Sequence, residues 1–136
     1  MPLTSDQELA AVLSLERIAV VGCSTTPGKP AHDVPKYLRA QGYDIVPVNP
    51  FADRIFGHQA YDSLTEIDDA VDVVCVFRPS DELAEIVGAT LERADEPVIW
   101  TQLGIGDETA IAMAEDAGHD VVADRCMKIE HQRLVD

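Results

Sequence analysis

Ile18-Ala19-Val20-Val21-Gly22-Cys23-Ser24-Thr25-Thr26-Pro27-Gly28-Lys29-Pro30 is the stretch that decides the fold. Four apolar residues in a row, closed by a glycine, read as a short strand buried on both faces. The polar loop that follows carries Pro and Gly, which punctuate a turn. Beyond it Val34, Tyr37 and Leu38 recur at helical spacing up to Gly42, a helix stop. Pro35 is expected in the first turn of that helix, where a missing N–H costs nothing. Ile45-Val46-Pro47-Val48 is then a second strand, ending at Asn49-Pro50.

The same alternation runs outward in both directions. Upstream, Ser5-Asp6-Gln7-Glu8 is a capping box opening a helix through Leu9, Val12 and Leu13. Downstream, residues 51–57 read as irregular, Gln59-Ala60-Tyr61 as a short edge strand, and Ser63-Leu64-Thr65-Glu66 as one capped turn. Val71-Asp72-Val73-Val74-Cys75-Val76-Phe77 is the most strand-like run, and Ser80 is placed to cap the helix carrying Leu83, Ile86, Val87 and Leu91. Pro97-Val98-Ile99-Trp100, a helix from Asp107 to Gly118, Asp120-Val121-Val122-Ala123 and a terminal helix to about Leu134 complete the pattern. Strands apolar on both faces, separated by amphipathic helices, predict an α/β fold. It is a Rossmann-like, doubly wound, mostly parallel sheet of five to six strands with helices on both faces. The 136 residues fit a single domain, 1–136.

Composition narrows the function. Acidic residues number 25 against 10 basic, a formal net charge of −15, and 46% of the chain is apolar. Such a field repels nucleic acid and anionic membrane, so neither is expected as a partner. No apolar run approaches a membrane span and the N-terminus lacks a signal-peptide pattern, so a soluble, cytoplasmic protein is expected. The three lysines are Lys29, Lys36 and Lys128, and carboxylates replace lysine across the surface. That balance suits high ionic strength, where the screening length falls from roughly 10 Å at 0.1 M to roughly 3 Å at 1 M salt. Cys23, Cys75 and Cys126 form no C-x-x-C pair, and the four histidines are scattered, so no disulfide framework and no metal site are expected.

In a doubly wound sheet ligands bind at the carboxyl ends of strands, where strand order reverses. Those ends are chemically particular here. After the first strand, Gly22 permits close backbone approach, Ser24 and Thr25 offer hydroxyls, the next helix offers its N-terminus, and Lys29 adds charge: a phosphate loop. Arg78 follows the third long strand, where it meets either an anion or one of many nearby carboxylates. Asn49 and Gln102 are neutral hydrogen-bonding groups suited to adenine, ribose or amide. Trp100 either stacks on a ligand or fills the core, and Lys128 ends the last strand.

Two dinucleotide signatures are missing. The G-x-G-x-x-G positions after Gly22 hold Ser24 and Pro27, and Asn49 stands where an acid would hold a ribose diol. A hydrolase elbow fails because Thr26 replaces its second glycine. Cys126 and His131, five apart on a helix, fall on different faces, so no catalytic constellation assembles.

These motifs together resemble the stand-alone CoA-binding domain proteins. The segments are residues 18–24 with Pro27 and Lys29, Tyr37-Leu38, residues 42–50, Tyr61-Asp62-Ser63-Leu64, Val71-Asp72-Val73-Val74, Phe77-Arg78-Pro79-Ser80, Trp100-Thr101-Gln102-Leu103-Gly104-Ile105 and Asp124-Arg125-Cys126-Met127-Lys128-Ile129-Glu130. The fold is similar to the CoA-binding domain of the succinyl-CoA synthetase alpha subunit. The resemblance implies coenzyme A or acyl-CoA as ligand, its phosphates near Gly22, Cys23, Ser24, Thr25 and Lys29. It places the adenine-ribose end near Val48 and Asn49, with Phe77, Arg78 and Pro79 lining the other side. It also implies a binding module without catalytic machinery of its own, with an acyl-CoA enzyme or further copies of the chain as candidate partners. Two alternatives stand beside it: a nicotinamide-dependent oxidoreductase, and a thiol-based redox protein forming a mixed disulfide with CoA through Cys126 or Cys23.

Overall fold

In a computed structural model, which describes residues 1–135, the apolar runs pair as the alternation predicts. The main sheet has five parallel strands: β1 (Arg17–Val21), β2 (Asp44–Val48), β5 (Val73–Val76), β6 (Val98–Thr101) and β7 (Val121–Val122). Their order is β2-β1-β5-β6-β7. The chain thus steps outward from β1 to β2, then returns to the far side of β1 as β5. That reversal leaves a crevice beyond the carboxyl ends of β1 and β5. Pro47 is tolerated because β2 is an edge strand.

Alternate strand residues feed two apolar layers. Ile18 and Val20 of β1 point with Ile45, Val73, Cys75, Trp100 and Val122 into one layer. Helices α1 (Asp6–Leu13), α2 (Pro30–Ala40) and α5 (Met127–Leu134) cover it through Leu9, Val34, Leu38 and Met127. Ala19 and Val21 point with Val46, Val74, Val76, Ile99 and Val121 into the other. There α3 (Leu83–Leu91) and α4 (Glu108–Asp116) supply Leu83, Val87, Ala110 and Ala114. Burying each such aliphatic side chain stabilises the fold by about 1.5–3 kcal/mol. The capping box of α1 forms as read: Ser5 Oγ accepts from the Glu8 N–H, and the Glu8 carboxylate accepts from the Ser5 N–H.

Several local expectations are corrected. Residues 51–57 are not wholly irregular, because β3 (Arg54–Ile55) pairs antiparallel with β4 (His58–Gln59). The edge contact to β2 is confined to Tyr61, bridged to Val48. Ser80 does not cap α3; Ser80–Glu82 form a 3₁₀ turn, and Ser80 Oγ accepts from the Gly106 N–H instead. Pro35 lies in the second turn of α2, since Pro30 takes the first helical position. Its missing N–H orphans the Ala31 carbonyl four residues back. The Ser24 N–H donates to that carbonyl at 3.0 Å, tying the loop after β1 to the helix after it. No helix among the described residues is long and apolar enough to cross a membrane.

Candidate functional site

A cavity of about 540 Å³ opens at the crevice between the carboxyl ends of β2, β1 and β5. Of the residues the sequence nominated, it gathers Gly22, Cys23, Ser24, Lys29, Val48, Asn49, Phe77 and Arg78. Glu82, just before α3, and Glu85, Ile86 and Ala89 on it close the cavity, and the segment leading into the 3₁₀ turn Leu64–Glu66 adds Asp62 and Ser63. Phe51 stands on its rim.

The loop over residues 22–29 is held from inside. Besides Ser24's N–H, its carbonyl is bound by His32 Nδ1 at 2.8 Å. Ser24 Oγ accepts from the Thr26 N–H, and Asp33 accepts from the Gly28 N–H. Asn49 Nδ2 donates to the Cys23 carbonyl at 2.9 Å, while its Oδ1 accepts from the Phe51 N–H at 2.8 Å. Asn49 is therefore a brace between the β1 and β2 loops before it is anything for a ligand. These bonds use up most local donors. Among the described residues the N–H groups of Cys23 and Ala31, both lining the cavity, have no protein acceptor. With the exposed Lys29 they make the β1 side of the cavity its donor-rich, electropositive wall.

Gly22 has a different reason from the one its sequence position suggested. Its φ is +86°, a conformation L side chains rarely adopt. A Cβ there would lie 2.8 Å from Arg78 Cδ and 3.1 Å from Cγ. The missing side chain makes room for the Arg78 stem rather than for open cavity. The Arg78 guanidinium in turn is paired with Glu82, Nη2 to Oε2 at 2.7 Å and Nε to Oε1 at 3.2 Å. The hydrogen bond from Arg78 holds the Glu82 carboxyl below its usual range. Any anion entering the cavity must compete with Glu82 for this cation.

Five nominated residues stand elsewhere. Trp100 is fully buried, and its Nε1 donates to the Arg125 carbonyl at 2.8 Å. Gln102 is buried; its Nε2 lies 2.9 Å from Cys75 Sγ, and its Oε1 accepts from the Met127 N–H. Thr101 and Asp124 join the same staple, through the Asp124 N–H to Thr101 Oγ1 and the Gly104 N–H to Asp124 Oδ1. The polar motifs after β6 and β7 thus lace their loops to the start of α5 and close that half of the edge. Lys128 lies on α5 with Nζ 5.3 Å from the centre of the Tyr37 ring, not in the cavity. Thr25 and Pro79 are exposed outside its lining.

The thiols divide as well. Cys23 lines the cavity but is buried, and burial pushes its thiol up to about 12, away from a reactive thiolate. Cys126 is half-buried at the start of α5, outside the lining. His131 is turned away from it, bound to the Tyr37 hydroxyl through Nδ1 at 2.8 Å. Among the described residues no three His, Cys, Asp or Glu side chains are grouped to hold a metal ion. Sequence reasoning missed Phe51, Asp62, Glu85 and Ala31. Asn49-Pro50 marked the loop that presents Phe51, but nothing in the local pattern showed which way the loop would turn.

The profile of the family described as CoA binding domain matches residues 16–132. The YneT protein of Bacillus subtilis is 43% identical over 116 residues, 85% of each chain. A solved structure from Pyrococcus horikoshii is 34% identical with a TM-score of 0.94, covering 100% of this chain and 97% of that one. Acetate–CoA ligase [ADP-forming] II of Archaeoglobus fulgidus is 30% identical over 93 residues, 67% of this chain but 14% of the ligase.

Proposed function

The chain belongs to the CoA-binding domain family, and on that premise we propose that it binds coenzyme A or an acyl-CoA in the cavity beyond β1, β2 and β5. The observation that carries the reading is the wall formed by Lys29 and the uncommitted N–H groups of Cys23 and Ala31, set at the point where strand order reverses. On a protein of charge −15, a polyanion needs such local donors to overcome the overall field. The chain works as one domain, a binding module that leaves chemistry to a partner acyl-CoA enzyme.

The other two readings have less behind them. Asn49 offers no carboxylate for a nicotinamide cofactor's ribose, and its amide already braces two loops. A mixed disulfide at Cys23 would have to start from a buried thiol pushed up to about 12.

Native mass spectrometry of freshly purified protein tests the proposal by retained CoA. Calorimetric titration with CoA and NAD in high salt completes it. CoA is expected to bind, and NAD far more weakly. Absence of CoA binding, or equal binding of NAD, refutes the assignment.

A further inference from the structure

Phe51 stands on the cavity rim with 96% of its surface exposed, and it belongs to neither apolar layer. Its ring therefore contributes nothing to the core. Its backbone, by contrast, is anchored. The Phe51 N–H donates to Asn49 Oδ1, and Asn49 Nδ2 reaches across to the Cys23 carbonyl. One amide thus couples the ring's point of attachment to the loop that carries the anion wall. Asn49's own backbone is fixed too, its N–H donating to the Tyr61 carbonyl at 2.8 Å. The result is a bare phenyl ring on a braced turn, at the β2 end of a cavity whose β1 wall is built for phosphate.

We propose that Phe51 is the platform on which the ligand's adenine ring stacks, and so a specificity-determining residue for the nucleotide end of the ligand. This rests on the CoA reading above and deepens it. Coenzyme A carries its phosphates and its base on one ribose unit. Phosphates held by Lys29, Cys23 N–H and Ala31 N–H leave the base to settle on a neighbouring wall. Of the neighbouring walls, α3 and the turn before it present Glu82 and Glu85 with the aliphatic Ile86 and Ala89, and the Phe77 ring is packed against the first apolar layer, whereas the β2 end presents Val48, Pro50 and the exposed ring of Phe51. A purine face needs a flat apolar partner, which the β2 end supplies. An aromatic ring with few rotatable bonds loses little entropy when it is covered. Base–aromatic stacking also tolerates any planar base, so the platform selects for a nucleotide handle rather than reading its edge.

The test compares CoA with 4′-phosphopantetheine, which lacks the nucleotide. By calorimetry, Phe51→Ala is expected to weaken CoA about tenfold, a typical loss for one stacked base. Binding of 4′-phosphopantetheine and the melting temperature should stay as in the wild type. Phe51→Trp should keep CoA affinity and show fluorescence quenching by CoA but not by 4′-phosphopantetheine, against a constant background from buried Trp100. Unchanged CoA affinity in Phe51→Ala, while the wild type binds CoA, overturns the stacking proposal alone. So does an equal loss for both ligands, absence of quenching, or a change of oligomeric state without a change in CoA affinity. A wild type that does not bind CoA refutes the underlying reading and this proposal with it.

Discussion

Replacing Gly22 by alanine should cost more in the native protein than in an Arg78→Ala background. The reason is geometric. Gly22 has φ +86°, and forcing a Cβ into left-handed backbone costs roughly 1–2 kcal/mol. The new methyl would also sit 2.8 Å from Arg78 Cδ and 3.1 Å from Cγ, too close for either to stay. These are atoms of the stem, not its free end, so the whole side chain must swing and release Glu82. Overpacking of this kind costs about 1–3 kcal/mol, and the half-exposed Arg78 puts the value at the low end. Gly22→Ala alone should thus lose about 2–3 kcal/mol, and in the Arg78→Ala background about 1–2. At about 4 °C per kcal/mol for a domain of this size, the melting temperatures should fall by roughly 8–12 °C and 4–8 °C. A double-mutant cycle by chemical and thermal denaturation reads the difference directly. Equal costs in both backgrounds would refute the steric argument. A stable Gly22→Ala would refute the backbone argument as well.

Lys29→Ala should weaken CoA about tenfold or more, from a charge-assisted bond of roughly 1.5–3 kcal/mol, while leaving stability nearly unchanged. Normal CoA titration of that variant would remove Lys29 from the site. Glu82→Gln should tighten CoA, because it frees the Arg78 guanidinium and deletes a carboxylate from the lining; weaker binding would mean that Arg78 never meets the phosphates. Melting temperature should rise clearly between ~0.1 M and ~2 M KCl as screening relieves carboxylate repulsion, and a flat curve would end the salt-adaptation reading. Burial pushes the Asp95 carboxyl up, but the hydrogen bond from Arg93 and the Val71 N–H outweigh it, so its net shift is downward. With the folded value below the unfolded one, the Arg93–Asp95 pair stabilises fully above about pH 4 and that contribution is lost as pH falls through the folded value. Asp95→Asn should flatten the acid limb of a stability–pH profile, and an unaltered limb would assign the slope to other carboxylates.

Much of this architecture follows from local pattern. Four-residue apolar runs such as 18–21 and 73–76 can bury both faces only inside a covered parallel sheet, and amphipathic segments such as 30–40 supply the cover. The Ser5 and Asp107 caps lie within three residues of the groups they bind, so sequence alone locates them. That the loop after β1, Lys29 and the start of α2 stand together was legible for the same reason: loop, charge and helix start are contiguous. What tertiary structure decided was the fate of each polar strand end. Gln102 and Trp100 look as ligand-ready as Asn49 and Arg78, yet their partners Met127 and Arg125 each lie 25 residues on and close that half of the edge. Gly22 answers to Arg78, and the Ala31 carbonyl that Pro35 orphans to Ser24, through contacts that exist only once β1, β5 and α2 are assembled. A side chain's periodicity reports which layer it enters. Whether a polar end staples a loop or faces a cavity depends on which distant donor or acceptor the fold brings to it.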